Sequence, residues 1–221
     1  GDGLYLLTML IFGFALLRRV RVRKDNPPPA FLLVAGGLLS ALFGVSSQIL
    51  GQVPSLNCPA WIIGFGRLLL YQGFVLLPVL GVGAFLLPRF FGLPNRQSLP
   101  ESLAFSPEWK RRAAVALGCT LLLLLSFLLE ALAFFRSAYA LRALVVAAYL
   151  FREVPFHKAF SAPGSLAIGL RIALFSLPLG YGLMAIFPAH ALSFLHIVFI
   201  TGFSLLIFTV ASRVIYGHSG Q

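Results

Sequence analysis

Residues 113–135 read AAVALGCTLLLLLSFLLEALAFF, a run in which Glu130 is the only charge. A helix needs about 20 predominantly apolar residues to cross the hydrocarbon of a bilayer, and this stretch supplies them. Moving outward, comparable stretches cover 4–17, 31–50, 61–87, 166–187 and 190–216, with a shorter one over 138–151. The pattern predicts an all-α, polytopic transmembrane helix bundle of about seven spans, forming one domain over 1–221.

Composition agrees. Apolar residues make up 59% of the 221 and charged residues 10%, against roughly 25% charged in a soluble domain. The net charge of +11 comes from 17 Lys and Arg against 6 Asp and Glu. No nucleic-acid-binding motif accompanies it, so the charge is assigned to basic loops and the partner is the lipid bilayer. Cys58 and Cys119 form no CxxC or CxxCH pattern, which excludes a covalent c-type haem and a zinc knuckle. The first basic run follows the first apolar segment, the reverse of a secretory signal peptide.

Basic residues alternate with the spans. Arg18, Arg19, Arg21, Arg23 and Lys24 follow the first; Arg89, Arg96, Lys110, Arg111 and Arg112 follow the third. Arg152 and Lys158 follow the fifth, while 51–60 and 188–189 carry no charge. The positive-inside rule then predicts the N-terminus outside and the C-terminus in the cytoplasm. The connection 88–112 is cytoplasmic, kept from being helical throughout by its four prolines. Within it Ser106-Pro107-Glu108 reads as a helix cap, with Trp109 at the interface. Small residues such as Gly36, Gly37, Gly64, Gly66, Gly180 and Gly182 suit close helix packing. No fixed-period repeat is visible.

This topology puts Arg67, Glu130 and His196 at similar depth near the outer surface, with Gln48 at that level and Gln72 a turn deeper. Ionisable groups in a bilayer face the interior and find partners. Two readings stand: a structural Arg67–Glu130 pair with a satisfied histidine nearby, or a pocket. In the pocket His196 would be a metal ligand or proton donor and Arg67 would hold an anionic group. At the inner end lie Arg171, Arg213 and His218, with His157 and Lys158 in the adjacent loop. Snorkelling to headgroups accounts for the arginines without any ligand. Gly217 and Gly220 look like helix-terminating positions. His196 and His218 are 22 residues apart, roughly 33 Å on a continuous helix, so they cannot ligate one metal.

The ending His196, Arg213, Gly217-His218-Ser219-Gly220 resembles that of the NnrS family of bacterial membrane proteins. A second similar stretch runs Gly66-Arg67-Leu68, Gln72-Gly73, Leu80-Gly81-Val82-Gly83 and Leu86-Leu87-Pro88-Arg89. The resemblance extends over about half of the chain. Ser219 replaces the family's usual threonine and keeps its hydroxyl. Arg171 stands where the penultimate span often has a histidine, and an arginine cannot replace an axial ligand. Family members commonly have more helices than this chain offers.

The resemblance implies a multi-pass protein of the bacterial inner membrane, containing haem and possibly copper, linked to nitric oxide as its small-molecule ligand. On that reading His196 and His218 are the metal ligands. Arg67, Glu130 and Arg213 are the cofactor-binding residues, Arg213 through haem propionates. The alternative is a cofactor-free transporter or receptor for a small polar or anionic solute, with spans broken at Pro78 and Pro178. No catalytic triad, nucleophilic cysteine motif or paired carboxylate stands at an interpretable spacing.

Overall fold

In hydrocarbon a backbone has no water to bond, and a helix satisfies its interior N–H and C=O groups within one segment. The computed structural model describes residues 1–100, 102–158 and 164–218, with 216–218 by backbone alone. Among the described residues there are seven long helices and no strand. They are α1 (Asp2–Arg21), α2 (Phe31–Gly51), α3 (Ala60–Phe90), α4 (Pro107–Ala131), α5 (Phe135–Glu153) and α6 (Ser165–Ile186). The last, α7, winds through Ala191–His196, Ile197–Ser204 and Leu205–His218.

Six of the seven are long and apolar enough to cross a membrane. The other, α5, has 19 residues, roughly 28 Å of helix, so its length suffices. Its apolarity does not, because Arg136, Arg142, Arg152 and Glu153 lie on it. The apolar run 138–151 marked only its middle: charge ends an apolar stretch without ending the hydrogen-bond ladder. The same reason carries α1 on to Arg21. Conversely, α4 stops at Ala131 although apolar residues continue to 135. Ala133 takes a left-handed φ of 66°. The Phe134 N–H then bonds the Leu129 carbonyl at 2.9 Å and the Ala133 N–H the Glu130 carbonyl at 3.0 Å. This is a Schellman closure with alanine in the place glycine usually takes.

The chain forms two compact units. The first holds Gly1–Phe85 and Arg96–Phe134, the second Leu86–Asn95 and Phe135–Gln221. In the first, α2 lies against α3 at glycine contacts. A Cβ on Gly44 would stand 2.7 Å from the Gly66 carbonyl oxygen and 2.7 Å from the Leu70 Cβ. The expected cap of α4 forms, with the Trp109 N–H donating to Ser106 Oγ at 3.1 Å. The segment before α4 is strapped to the α1–α2 connection. Asp25 Oδ1 accepts from the Ser102 N–H at 2.8 Å, Gln97 Oε1 from the Ala30 N–H at 3.0 Å, and the Pro27 carbonyl from Trp109 Nε1 at 3.0 Å.

In the second unit α6 packs on α5 and α7. A Cβ on Gly180 would meet Val198 Cγ2 at 2.5 Å, and one on Gly202 would meet Leu177 Cδ2 at 2.5 Å.

Both helix ends and crossings are open to test by thermal unfolding in detergent. Gly44→Val should lower stability by about 1–3 kcal/mol through overpacking. Gly64→Ala, where an added Cβ meets nothing within 4 Å, should not lower it. Ala133→Gly should raise stability by about 1 kcal/mol by relieving the left-handed alanine.

Candidate functional site

The second unit carries most of the unusual chemistry. Arg142 on α5 is 0% exposed. Its guanidinium carbon lies 5.2 Å from the ring centroid of Tyr181 on α6 and 5.8 Å from that of Tyr139, one turn earlier on α5. A flat, weakly hydrated cation is the charge best suited to such an aromatic enclosure. On α6, half-buried Arg171 stands over Phe91 at 5.4 Å. Glu153, 2% exposed at the end of α5, accepts an ion pair from Arg152 Nε at 3.3 Å.

His196 occupies the last α-wound residue of α7 before the segment Ile197–Ser204. There the winding loosens to i→i+5 hydrogen bonds, as in the Leu205 N–H to Ile200 carbonyl bond. Such π-wound turns recur at functional sites. His196 Nδ1 lies 2.8 Å from the Leu192 carbonyl oxygen. The carbonyl can only accept, so Nδ1 is the donor, and in the neutral ring Nε2 then carries the lone pair. The ring is exposed. A histidine fixed by a backbone carbonyl through one nitrogen and open at the other has the preparation typical of a metal-binding imidazole.

Toward the other end of α7, Arg213 borders a cavity of about 470 Å³ whose lining includes Phe91, Gly164, Ser165, Leu170 and Thr209. Thr209 Oγ1 donates to the Leu205 carbonyl at 2.7 Å. The cavity is of ligand size, and Arg213 is the charged side chain on its wall.

In the first unit Arg67 is exposed on α3, just ahead of a second π-wound segment, Leu69–Gly73. Gln72 within that segment is buried, and Gln48 on α2 donates to the Ile63 carbonyl at 2.9 Å. Half-buried Glu130 lies in the closing turn of α4.

Of the residues expected to form a site, Arg67 and Glu130 belong to the first unit, and His196, Arg213 and His218 to the second. The helix runs on from His196 to His218, which keeps the two roughly 30 Å apart. His218 is described by backbone alone, and Ser219 and Gly220 lie outside the described residues. Among the described residues no three His, Cys, Asp or Glu side chains cluster as a metal cage would require.

Arg142 and Glu153 are the residues sequence reading passed over. Arg142 lay inside an expected span, and a charge there is itself the signal.

These features define a multi-pass helical membrane protein with an enclosed arginine and an oriented imidazole. The chain belongs to the NnrS family: the family model described as NnrS protein matches residues 3–221. The match covers nearly the whole chain, beyond the two stretches that first suggested it. No curated protein and no solved structure gives a significant match.

A double-mutant cycle on Arg142→Met and Tyr181→Leu should yield a coupling energy of about 0.5–2 kcal/mol. Additive losses in thermal stability would show that the two side chains do not interact.

Proposed function

We propose that this NnrS-family protein binds haem in the bacterial inner membrane, that His196 would hold it, and that the protein acts in the response to nitric oxide. The observation that carries the reading is the 2.8 Å contact between His196 Nδ1 and the Leu192 carbonyl. It fixes the ring and leaves Nε2 as a donor. Haem needs only one or two protein ligands, so a lone oriented imidazole suits it where a bare ion would ask for a cluster. Family membership supports the nitric oxide connection, because the family is linked to that stress.

Arg213 has a separate role, lying 17 residues along α7 from His196, about 25 Å of helix. It would pair with an anion at the 470 Å³ cavity, out of reach of the propionates of a haem held by His196, at the end of α7 that also carries His218. Copper would draw on His218 as a donor. Bound haem would supply the redox and gas-binding chemistry; the chain would hold it and keep water from it. The basic loops support an outside N-terminus and a cytoplasmic C-terminus.

The test is an oxidised-minus-reduced visible spectrum with metal analysis on detergent-purified protein. A Soret band with stoichiometric iron is expected, and His196→Ala should lose or shift it. A colourless, metal-free protein after expression with haem supply would leave the cofactor-free carrier as the better reading. An unchanged spectrum in His196→Ala would remove the ligand role alone.

A further inference from the structure

The two π-wound segments sit in matching surroundings. Pro59, Phe65, Gly73, Phe74, Leu76 and Leu77 recur as Pro188, Phe194, Gly202, Phe203, Leu205 and Leu206, each 129 residues later. At this spacing π-wound Leu69–Gly73 falls inside π-wound Ile197–Ser204. The buried faces match as well: Leu69, Gly73, Leu77 and Leu80 correspond to Val198, Gly202, Leu206 and Thr209, all buried. On the outer face Tyr71 is 62% exposed and its counterpart Ile200 60%.

The neighbouring helix repeats too. At a spacing of 136 residues, Gly37, Ser40, Ala41, Gly44 and Val45 of α2 correspond to Ala173, Ser176, Leu177, Gly180 and Tyr181 of α6. All ten are buried. Ser40 Oγ donates to the Gly36 carbonyl and Ser176 Oγ to the Ile172 carbonyl, four residues back in each case. Gly44 approaches the Gly66 carbonyl oxygen and Leu70 amide nitrogen of α3; Gly180 approaches the Phe194 carbonyl oxygen and Val198 amide nitrogen of α7. The two approaches agree to within one residue of register. After the first helix of each set, Lys24-Asp25-Asn26-Pro27 recurs as Arg152-Glu153-Val154-Pro155, at a spacing of 128.

We infer that the chain is a tandem duplication of one three-helix unit, α1–α3 and α5–α7 joined through α4. Arg67 then occupies in the first copy the ligand position that His196 occupies in the second. Both are exposed, and both stand just ahead of the π-wound turn. An imidazole there offers a lone pair, whereas a guanidinium, always protonated, cannot ligate a metal. Arg67 is thus the residue that restricts metalloporphyrin binding at this position to one copy of two.

The haem part of this inference rests on the function proposed above, and the test separates the two. Haem per chain would be measured by pyridine haemochrome on the full-length protein purified in detergent. Relative to wild type, Arg67→His should double it and His196→Arg should abolish it. The Arg67→His/His196→Arg exchange should restore the wild-type amount. An Arg67→His protein that melts like wild type but gains no haem overturns the equivalence of the two positions. Wild-type protein without haem would overturn the functional reading instead. The duplication is then judged by melting temperature: Gly73→Leu and Gly202→Leu should lower it to a similar extent, and a loss confined to one of the pair overturns it.

Discussion

Lipid gives helices no hydrophobic reason to leave it for one another, so association rests on close packing. In each unit that packing is made by a glycine on one helix lying on the backbone of the next: Gly44 on α3, and Gly180 on α7. Neither contact survives a β-carbon without displacement, since one on Gly44 would stand 2.7 Å from the Gly66 carbonyl oxygen and one on Gly180 2.5 Å from Val198 Cγ2 and 3.2 Å from the Phe194 carbonyl oxygen. The π-wound turns follow on the same faces. Gly73 there meets Ser40, and Gly202 meets Leu177. The wider turn lets the helix keep an apolar face inward below the crossing while Arg67 and His196 point away from it. Helix packing and site placement therefore share one cause.

The spans were legible because the bilayer imposes a length and an apolarity that composition records directly. Helix ends were less so. Apolarity ended at Arg136 and Arg152 while the backbone of α5 did not. It continued past Ala131 where the left-handed Ala133 closed α4. The cap at Ser106 could be read because its chemistry is local. The tautomer of His196 could not, because it depends on where the Leu192 carbonyl points. Nor could the π-wound turns, since residues such as Leu69 and Ile197 suit ordinary helix equally well. The repeat escaped notice for a plain geometric reason: its three parts recur at 128, 136 and 129 residues, as connections lengthen and shorten, so no single period aligns them.

A duplicated unit supplies its own control. Residues that both copies keep, such as Ser40 and Ser176 or Gly73 and Gly202, serve the packing that both copies share. Residues that differ in charge lie outside that shared packing and must find partners of their own. By the spacings above, Arg142, Arg171 and Arg213 stand where the first copy has Phe14, Ala35 and Ala84. Each difference adds a cation to the second copy, in a setting where charge is costly. Arg142 meets that cost with two tyrosine rings and Arg171 with Phe91; Arg213 faces the cavity. On the function proposed above, the imidazole at the shared site position, where the first copy has Arg67, makes α5–α7 the copy that would carry the chemistry.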